Sequence, residues 1–445
     1  MLSENDSEAI CDKLLRLTKA DDAAVIVESE DRSHLRFAAN GVTTSGRRED
    51  ASAKITVWLD SRRGSATAND LDDAALARAV AEAEQLARLS PPDDEYLPTL
   101  GPQQYAPAAG YVEATANPSP ADRARAVDAI LQACDKAGVV GAGFHQSSGT
   151  TVARATRNGN FGYRRSSLVS LSVTARAADG GSSGYFLRNH FDVAKLDTER
   201  IGNAAIDKAL ASRNPRSLDP GVYPTILEPQ AADDLIRFAF DARSADEGRS
   251  PFSAPDGRTR LGEPIFDPRL SVSSDPWHPD LPGSPWTPEG LPARRIWFVR
   301  RGVLENLRYS RYWASRKGEV PTPGPVNTIL EGDAPGASIE EMIAATPRGL
   351  LVTRFWYIRP VDPRTALFTG VTRDGLWYIE DGRIRYPVMN FRFNQSVLDL
   401  LAPGNVELVG TSERTSDSDS QGENASLMPA LKVSRFNFTS LSEAV

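Results

Sequence analysis

Cysteine is nearly absent from this chain, which has two cysteines among 445 residues. Cys11 and Cys134 lie far apart in the sequence and belong to no C-x-x-C pair. A framework of disulfide bonds is therefore excluded. A chain without disulfides fits a reducing compartment, so we expect a cytoplasmic protein in which Cys134, on an apolar helical stripe, is a small core residue.

Histidine is almost as scarce, with four residues in the whole chain. No two of them have the spacing of three to five residues that places paired imidazoles on one helix face, as in many zinc hydrolases. The four positions are His34, His145, His190 and His278. A zinc site would have to combine histidines from distant segments, which is the less favoured interpretation.

The chain also lacks an excess of positive charge and long apolar runs. Lys and Arg total 51 against 59 for Asp and Glu, a net charge of −8. This balance argues against direct binding of nucleic acid, because such proteins normally carry a basic excess. The longest apolar stretch, residues 349–358, is far shorter than the roughly 20 residues that span a bilayer. The chain starts with acidic residues, unlike a signal peptide. We expect no membrane segment and no nucleic-acid partner.

What is present is the composition of a folded protein, with 40% hydrophobic and 25% charged residues. Helix and strand patterns alternate in the N-terminal third. Residues 23–28 read as a short buried strand, and acidic Asp72 and Asp73 mark the first turn of a helix. Ser119 followed by Pro120 is typical of an N-cap and the first helical position.

Strand patterns dominate after residue 139, where Asn158-Gly159 predicts a hairpin turn. Residues 230–242 have helical spacing. Ten prolines fall between residues 251 and 292, which indicates a long irregular excursion of the kind that often covers a site. Residues 411–426 are polar and almost free of apolar side chains, so we predict a mobile loop there.

These patterns predict an α+β fold with two domains. The N-terminal domain, residues 1–220, is α/β and contains a Pro-rich linker near residues 89–118. The C-terminal domain, residues 221–445, is mostly antiparallel β and includes the Pro-rich excursion at residues 243–292.

One nominal nucleophile motif occurs, because residues 180–184 (GGSSG) match G-x-S-x-G. A hydrolase would place Ser182 on a strained turn between a strand and a helix, with His145 or His190 as the base. Here the segment after the motif looks like a strand, so a Gly/Ser hairpin tip is favoured. A metal-independent hydrolase that uses Ser182 remains the alternative.

Several segments, in a shared order over some 400 residues, resemble the TldD/PmbA family, whose PmbA branch is also called TldE. They are HLRFAANGV (34–42), GSATANDLDDAALARAVAEAEQLARLSPPDD (64–94), RNPRSLDPGVYPTILEPQAADDLI (213–236), TPEGLPARRIWFVRRGVLENLRYSRYWASRKG (287–318) and TGVTRDGLWYIEDGRIRYPVMNFRFNQSVLDLL (369–401). The resemblance implies a cytoplasmic dimer, commonly of TldD with TldE, that acts as a zinc-dependent peptidase.

In the TldD subunit the family pattern is H-E-x-x-x-H on a central helix with a Cys near the C-terminus. Two imidazoles and a thiolate hold zinc there, and the Glu is the general base. The matching positions here are Arg237, Phe238 and Ala242, and no cysteine follows Cys134. The resemblance therefore implies a TldE-like chain without a metal of its own, and zinc in a TldD-like partner.

On this basis we expect a non-catalytic subunit that completes a chamber in which unfolded or short peptides are cleaved. Candidate positions for a peptide groove are Tyr357, Arg359, Arg373, Asn390 and Asn394. Two alternatives stay open beside it. One is the hydrolase that uses Ser182, and the other is a non-enzymatic scaffold that binds peptides.

Overall fold

The computed structural model describes residues 1–236, 240–416 and 424–442. Helices and strands are mixed throughout, and nearly all strand pairs are antiparallel, which confirms the predicted α+β class. In the parts of the chain so described, no helix combines the length and apolar character needed to cross a bilayer.

The N-terminal region consists of two similar units, each with a helix, three strands and a second helix. The first unit contains α1 (Glu4–Leu17), β1 (Asp22–Ala38), β2 (Gly41–Leu59), β3 (Arg62–Ala68) and α2 (Asp73–Leu89). A short helix, α3 (Glu113–Ala116), follows the linker. The second unit contains α4 (Pro120–Ala137), β4 (Val139–Thr156), β5 (Phe161–Ala177), β6 (Ser183–His190) and α5 (Thr198–Ala211).

The six strands form one antiparallel sheet with the order β3-β2-β1-β4-β5-β6, so the two units join where β1 pairs with β4. Helices cover one face of the sheet and bury its apolar residues, including Val27, Val57, Val169 and Leu171. The opposite face carries small hydroxyl side chains where β4 and β5 cross its centre. That polar face needs another cover, which the C-terminal region supplies.

Local signals in the sequence set several boundaries. Asp72 is itself the N-cap of α2, since its side chain accepts a hydrogen bond from the backbone of Ala75. Ser119 caps α4 with Pro120 at the first helical position, as predicted. The Asn158-Gly159 hairpin between β4 and β5 is confirmed, with Gly159 at a φ of 86°.

The C-terminal region contributes five helices and fifteen strands within the described residues. The helices are α6 (Pro229–Ile236), α7 (Ala242–Asp246), α8 (Arg311–Lys317), α9 (Ile339–Ala344) and α10 (Val397–Leu401). The first eight strands are β7 (Gly221–Leu227), β8 (Ser271–Ser274), β9 (Ile296–Arg300), β10 (Val303–Leu304), β11 (Thr328–Glu331), β12 (Arg348–Val352), β13 (Phe355–Asp362) and β14 (Leu367–Thr372). The remaining strands are β15 (Leu376–Glu380), β16 (Arg383–Pro387), β17 (Phe391–Ser396), β18 (Val406–Val409), β19 (Glu413–Ser416), β20 (Ala425–Met428) and β21 (Leu431–Leu441).

These strands form two sheets. One has the order β10-β9-β8-β11-β20-β19, and the other runs β13-β14-β17-β21-β7-β12-β15-β16, with β18 also paired to β21. Their shared core contains a cluster of stacked and tilted phenylalanines, among them Phe355, Phe393 and Phe436. Helix α6 contacts β7 and β13 of the large sheet and β19 and β20 of the smaller one.

Two predictions from the sequence need correction here. The predicted helix at residues 230–242 is interrupted, because Phe240 is not helical and a separate helix, α7, starts at Ala242. The predicted loop at residues 411–426 is partly strand, since Glu413 pairs with Met428 in β19 and β20. Residues 417–423, the middle of that stretch, lie outside the described residues.

Candidate functional site

Helix α6 places two neighbouring carboxylates in the interior. Asp233 is fully buried, and Asp234 is half-buried beside the start of β13. The Asp234 carboxylate accepts hydrogen bonds from Gln230 Nε2 at 2.9 Å and from the Phe355 backbone N–H at 3.0 Å. Gln230 Nε2 also donates to the backbone oxygen of Ser416 at 3.0 Å. The helix is thus tied to an edge of each sheet.

Burial raises the pKa of Asp234 from 3.8 to about 6, although the nearby Arg354 guanidinium opposes the shift. The cause is loss of hydration, which disfavours the charged carboxylate. Near neutral pH this side chain is therefore a carboxylate that protonates more readily than an ordinary aspartate.

This raised pKa gives stability a pH dependence of defined sign. Between about pH 4 and pH 6 native Asp234 binds a proton that the unfolded chain does not bind, so its contribution to stability falls as pH rises. Replacing Asp234 with asparagine should remove this loss. Between about pH 4 and pH 6, the free energy of unfolding of D234N should therefore rise by about 3 kcal/mol relative to that of the wild type. Urea unfolding at several pH values measures the difference.

The matched control is D241N. Burial of Asp241 acts to raise its pKa, but hydrogen bonds from Ser244 and the Arg308 guanidinium outweigh burial and lower it. This carboxylate stabilises the native state above the pKa of an unfolded aspartate, and the contribution is lost in acid. The stability of D241N relative to the wild type should therefore fall as pH rises, whereas that of D234N should increase. Parallel pH profiles for the two variants would contradict this account.

A buried ion pair within the C-terminal region contacts strand β6 of the N-terminal sheet. Arg354 Nη1 donates to Asp374 Oδ2 at 3.1 Å, and both side chains are about 5% exposed. Ser183, at the start of β6, donates its hydroxyl to Asp374 Oδ1 at 2.6 Å. The Arg354 guanidinium also lies 3.9 Å from the ring centre of Tyr185. Because each partner comes from a different segment, this pair fixes β6 against the turn before β15.

A cleft of about 1120 Å³ lies over the polar face of the N-terminal sheet. Its floor includes Ser148 and Thr150 of β4 and Ser166 of β5. The linker, the Pro-rich excursion and the ends of β11, β19 and β20 form the other walls. The lining segments are residues 107–111, 163–168, 281–285, 325–328 and 424–426, together with Glu30, Arg32, Phe191 and Arg414.

This cleft was not predicted from the sequence. Its floor comes from strands of the N-terminal region, and its walls come from loops that are distant in the sequence. One signal was available, because Ser148, Thr150 and Ser166 place hydroxyls on one face of adjacent strands. Small polar side chains that share one face of a sheet leave space above that face. The signal indicates an uncovered face but gives no information about its cover.

Comparisons with known proteins decide the family. Three models described as PmbA/TldA metallopeptidase domains match the chain: domain 1 at residues 23–87, the central domain at residues 114–213 and the C-terminal domain at residues 220–440. The chain belongs to the TldD/PmbA family. The resemblance predicted from the sequence is thereby confirmed.

Individual members of the TldD/PmbA family agree with this assignment. The protein named metalloprotease PmbA from Escherichia coli O157:H7 is 26% identical over 405 residues, 86% of each chain. The crystal structure of TldE from Thermococcus kodakarensis superposes with a TM-score of 0.84 at 18% identity and covers 97% of this chain and 99% of that one. A Thermotoga maritima structure described as a proposed modulator of a DNA gyrase gives a TM-score of 0.83 at 19% identity, with coverage of 97% and 100%. The two structural matches show the shared fold.

Of the three positions that the resemblance aligns with the TldD zinc motif, the structure describes Ala242. Ala242 begins α7, is fully buried, and has only a methyl side chain, with its backbone N–H bonded to the Arg308 oxygen at 3.0 Å. Arg237 and Phe238 lie outside the described residues. Within residues 1–236, 240–416 and 424–442, no group of three or more His, Cys, Asp or Glu side chains is arranged to hold a metal ion.

Neither His145 nor His190, the two candidate bases, lies near Ser182. Ser182 is buried at the β5–β6 hairpin and donates its hydroxyl to the Ala209 oxygen of α5 at 2.7 Å. His190 ends β6, which places it about 23 Å from Ser183 at the other end of the strand. His145 is in register with Leu171 and so lies toward the same distant end. The structure contradicts a nucleophile at Ser182 served by either histidine.

The five groove candidates fall into two groups instead of one. Tyr357, Arg359 and Asn394 are exposed on the large sheet near its β13 edge, where Arg359 and Asn394 both lie in register with Thr369. Arg373 and Asn390 lie near the Asp374 ion pair, and Asn390 Oδ1 accepts a hydrogen bond from the Thr372 hydroxyl. A peptide role for these residues stays a prediction.

Proposed function

We propose that this chain is the non-catalytic, TldE-like subunit of a TldD-type zinc metallopeptidase heterodimer. In this proposal a TldD-like partner binds zinc, which would activate water for cleavage of unfolded or short peptides. This chain supplies part of the wall of the chamber and carries no metal itself. Family membership and the shared fold support the proposal, while the division of labour rests on the residues below.

The observation that carries the proposal is the replacement of every ligand position. Ala242 offers a buried methyl group where the TldD pattern has the second histidine. Arg237 occupies the other histidine position in the sequence, and a guanidinium has no lone pair to donate. Beyond His278 the sequence contains no histidine and no cysteine. The C-terminal region therefore has one histidine and no cysteine, too few of the nitrogen and sulfur donors that zinc prefers.

Two features support a role in receiving peptides. The cleft is larger than the 300–1,000 Å³ typical of small-molecule sites, so its size suits a chain segment. Strand β13 lies at an edge of the large sheet, where Tyr357 and Arg359 are exposed. Backbone pairing at a sheet edge holds peptides with little dependence on their side chains. Such tolerance suits a peptidase for unfolded chains.

We also place the protein in the cytoplasm, because Cys11 and Cys134 are free and buried.

The test is co-expression with the TldD-like protein of the same genome. We expect the two chains to co-purify in equal amounts and to cleave an unfolded substrate such as reduced casein. The control is the same complex with the partner's motif Glu replaced by Gln, which should assemble and remain inactive. An active chain without a partner would contradict the proposal. Failure of the two chains to associate would favour a peptide-binding scaffold instead.

A further inference from the structure

The cleft carries a charge pattern that its proposed role does not explain. Four arginines line it, while the protein as a whole has a net charge of −8. Arg32 is paired with Glu30 at 2.9 Å, and Arg165 lies 3.7 Å from Glu113 and over the ring of Tyr111. These two cations are therefore satisfied within the protein. The other two arginines, Arg164 and Arg414, form no ion pair with the residues that the structure describes.

Arg164 makes no hydrogen bond and no ion pair with any residue that the structure describes. Its Nε atom is buried without a hydrogen-bond partner. Its neighbour across the strand pair is Val152, which offers no acceptor, and burial lowers the pKa of Arg164. The side chain is half-buried, and the attraction of Glu28 does not offset its loss of hydration. Such loss is costly for a guanidinium that has no hydrogen-bonded counter-ion. An arginine in such a position at the wall of an open cleft is available to an anion from outside the chain.

Arg414 is the second such cation. It donates hydrogen bonds from Nε to the backbone and side-chain oxygens of Asn189 at 2.8 and 2.9 Å, and another to the backbone oxygen of Asp280. Its partners in the described part of the chain are thus neutral oxygens, and the guanidinium forms no ion pair there. These contacts fix the orientation of the side chain, and the attraction of the Asp280 carboxylate offsets only part of the effect of burial on the pKa of Arg414.

The spacing of these two cations indicates the length of the ligand. Asn189, which Arg414 binds, lies in register with Ser170 of β5. Ser170 and Arg164 are six positions apart on that strand, a distance of about 20 Å. Between them the floor offers the hydroxyls of Ser148, Thr150 and Ser166 and the apolar side chain of Leu168. An extended segment of about six residues would span the two positions.

We propose that the cleft binds an extended acidic peptide segment whose carboxylates pair with Arg164 and Arg414. This inference rests on the proposed function for the choice of a peptide, and it adds the preferred charge of the substrate. Arginine binds carboxylates through two parallel hydrogen bonds, which gives orientation as well as affinity. The carboxylate comes from an acidic side chain or from the C-terminus of the bound chain.

Fluorescence anisotropy with the full chain and labelled peptides tests the proposal. Three C-terminally amidated peptides carry Glu, Gln or Lys at both ends, and a fourth has Gln with a free C-terminus. The Glu peptide should bind at least about tenfold more tightly than the amidated Gln peptide. Tight binding of the free-terminus peptide would assign one arginine to the terminal carboxylate, whereas tight binding of only the Glu peptide would assign side-chain carboxylates.

Variants connect the preference to the two arginines. R164Q and R414Q should each weaken binding of the Glu peptide by about tenfold, while R164K should retain part of it. The matched control is R78Q, which removes an exposed arginine from α2 on the opposite, helix-covered face of the sheet. This variant should bind like the wild type. Thermal unfolding of each variant establishes that it is folded.

Three results would overturn the proposal. The Glu and Gln peptides could bind equally, or R164Q and R414Q could both leave binding unchanged. A single-stranded oligonucleotide could bind more tightly than the Glu peptide in a manner that depends on both arginines, which would indicate a nucleic-acid ligand. This assay needs neither zinc nor a partner. Its failure is therefore distinct from failure of the heterodimer, which would be seen as absence of complex or cleavage.

Discussion

Replacing Arg354 with leucine should lower the free energy of unfolding by about 3–5 kcal/mol. The guanidinium is 6% exposed and is the direct hydrogen-bonding cation of Asp374, whose own side chain is 5% exposed. After the substitution the Asp374 carboxylate keeps the Ser183 hydroxyl at 2.6 Å, but it loses most of its compensating charge, since Arg373 lies at 3.7 Å. Urea unfolding followed by fluorescence measures the change in midpoint.

The matched control for R354L is R359L on the same strand. Arg359 is exposed and donates its side-chain hydrogen bond only to the adjacent Ile358 oxygen. Its replacement should change stability by no more than about 0.5 kcal/mol. If R354L were as mild as R359L, the ion pair would not be the link between β6 and the C-terminal region that we describe.

Replacing Gly184 with alanine should destabilise the protein by about 3 kcal/mol, at the upper end for overpacking. An added Cβ would lie 2.1 Å from the Ala205 oxygen and 2.5 Å from the Ala209 nitrogen, both backbone atoms of α5. Helix α5 would have to move away from β6. The other edge of the sheet repeats this contact, because a Cβ on Gly64 would lie 2.0 Å from the Ala83 oxygen of α2.

The same turn supplies a control for G184A. Gly181 has no positive φ, and a Cβ there would meet only the Asp179 side chain at 3.4 Å. G181A should therefore be tolerated. S182A should cost about 1 kcal/mol through loss of the hydrogen bond to Ala209, and it should leave peptide cleavage by the complex unchanged. Equal effects of G181A and G184A would contradict the close helix contact, and loss of cleavage in S182A would revive the hydrolase.

This contact explains why a nucleophile-like motif is present without its chemistry. The last glycine of GGSSG allows α5 to approach the strand, and the central serine bonds to the end of that helix. Both requirements are structural. A motif of small residues can therefore mark either a catalytic nucleophile or a close contact between a helix and a strand. Only the position of a base distinguishes the two.

Elements defined by local signals were predictable from the sequence. Asp72, Ser119 and the Asn158-Gly159 turn act within a few residues, so their effect does not depend on distant partners. The alternating strands of the N-terminal sheet were recognised in the same way. Their length was underestimated, since β1 and β2 continue through charged residues such as Arg47, which binds Asp31 across the hairpin.

Elements stabilised by distant contacts were not predictable. Strand β19 is polar, but Thr415 and Ser416 are fully buried because β20 and α6 cover them. The break in the predicted helix likewise follows from distant packing, since Phe240 is not helical and Asp241 begins a new turn that is bonded to Arg308. The cleft is built from distant segments, and the hydrogen bond from Ser183 to the buried Asp374 joins residues 191 positions apart. No short sequence pattern encodes either of them.

The most direct test of the central claim is the zinc content of this chain, purified alone and as a complex with its TldD-like partner. The account predicts essentially no zinc in the isolated chain and about one zinc ion per heterodimer, removed when the partner's motif histidines are replaced. Stoichiometric zinc in the isolated chain, accompanied by peptide cleavage, would contradict the account and assign the metal to residues of this subunit.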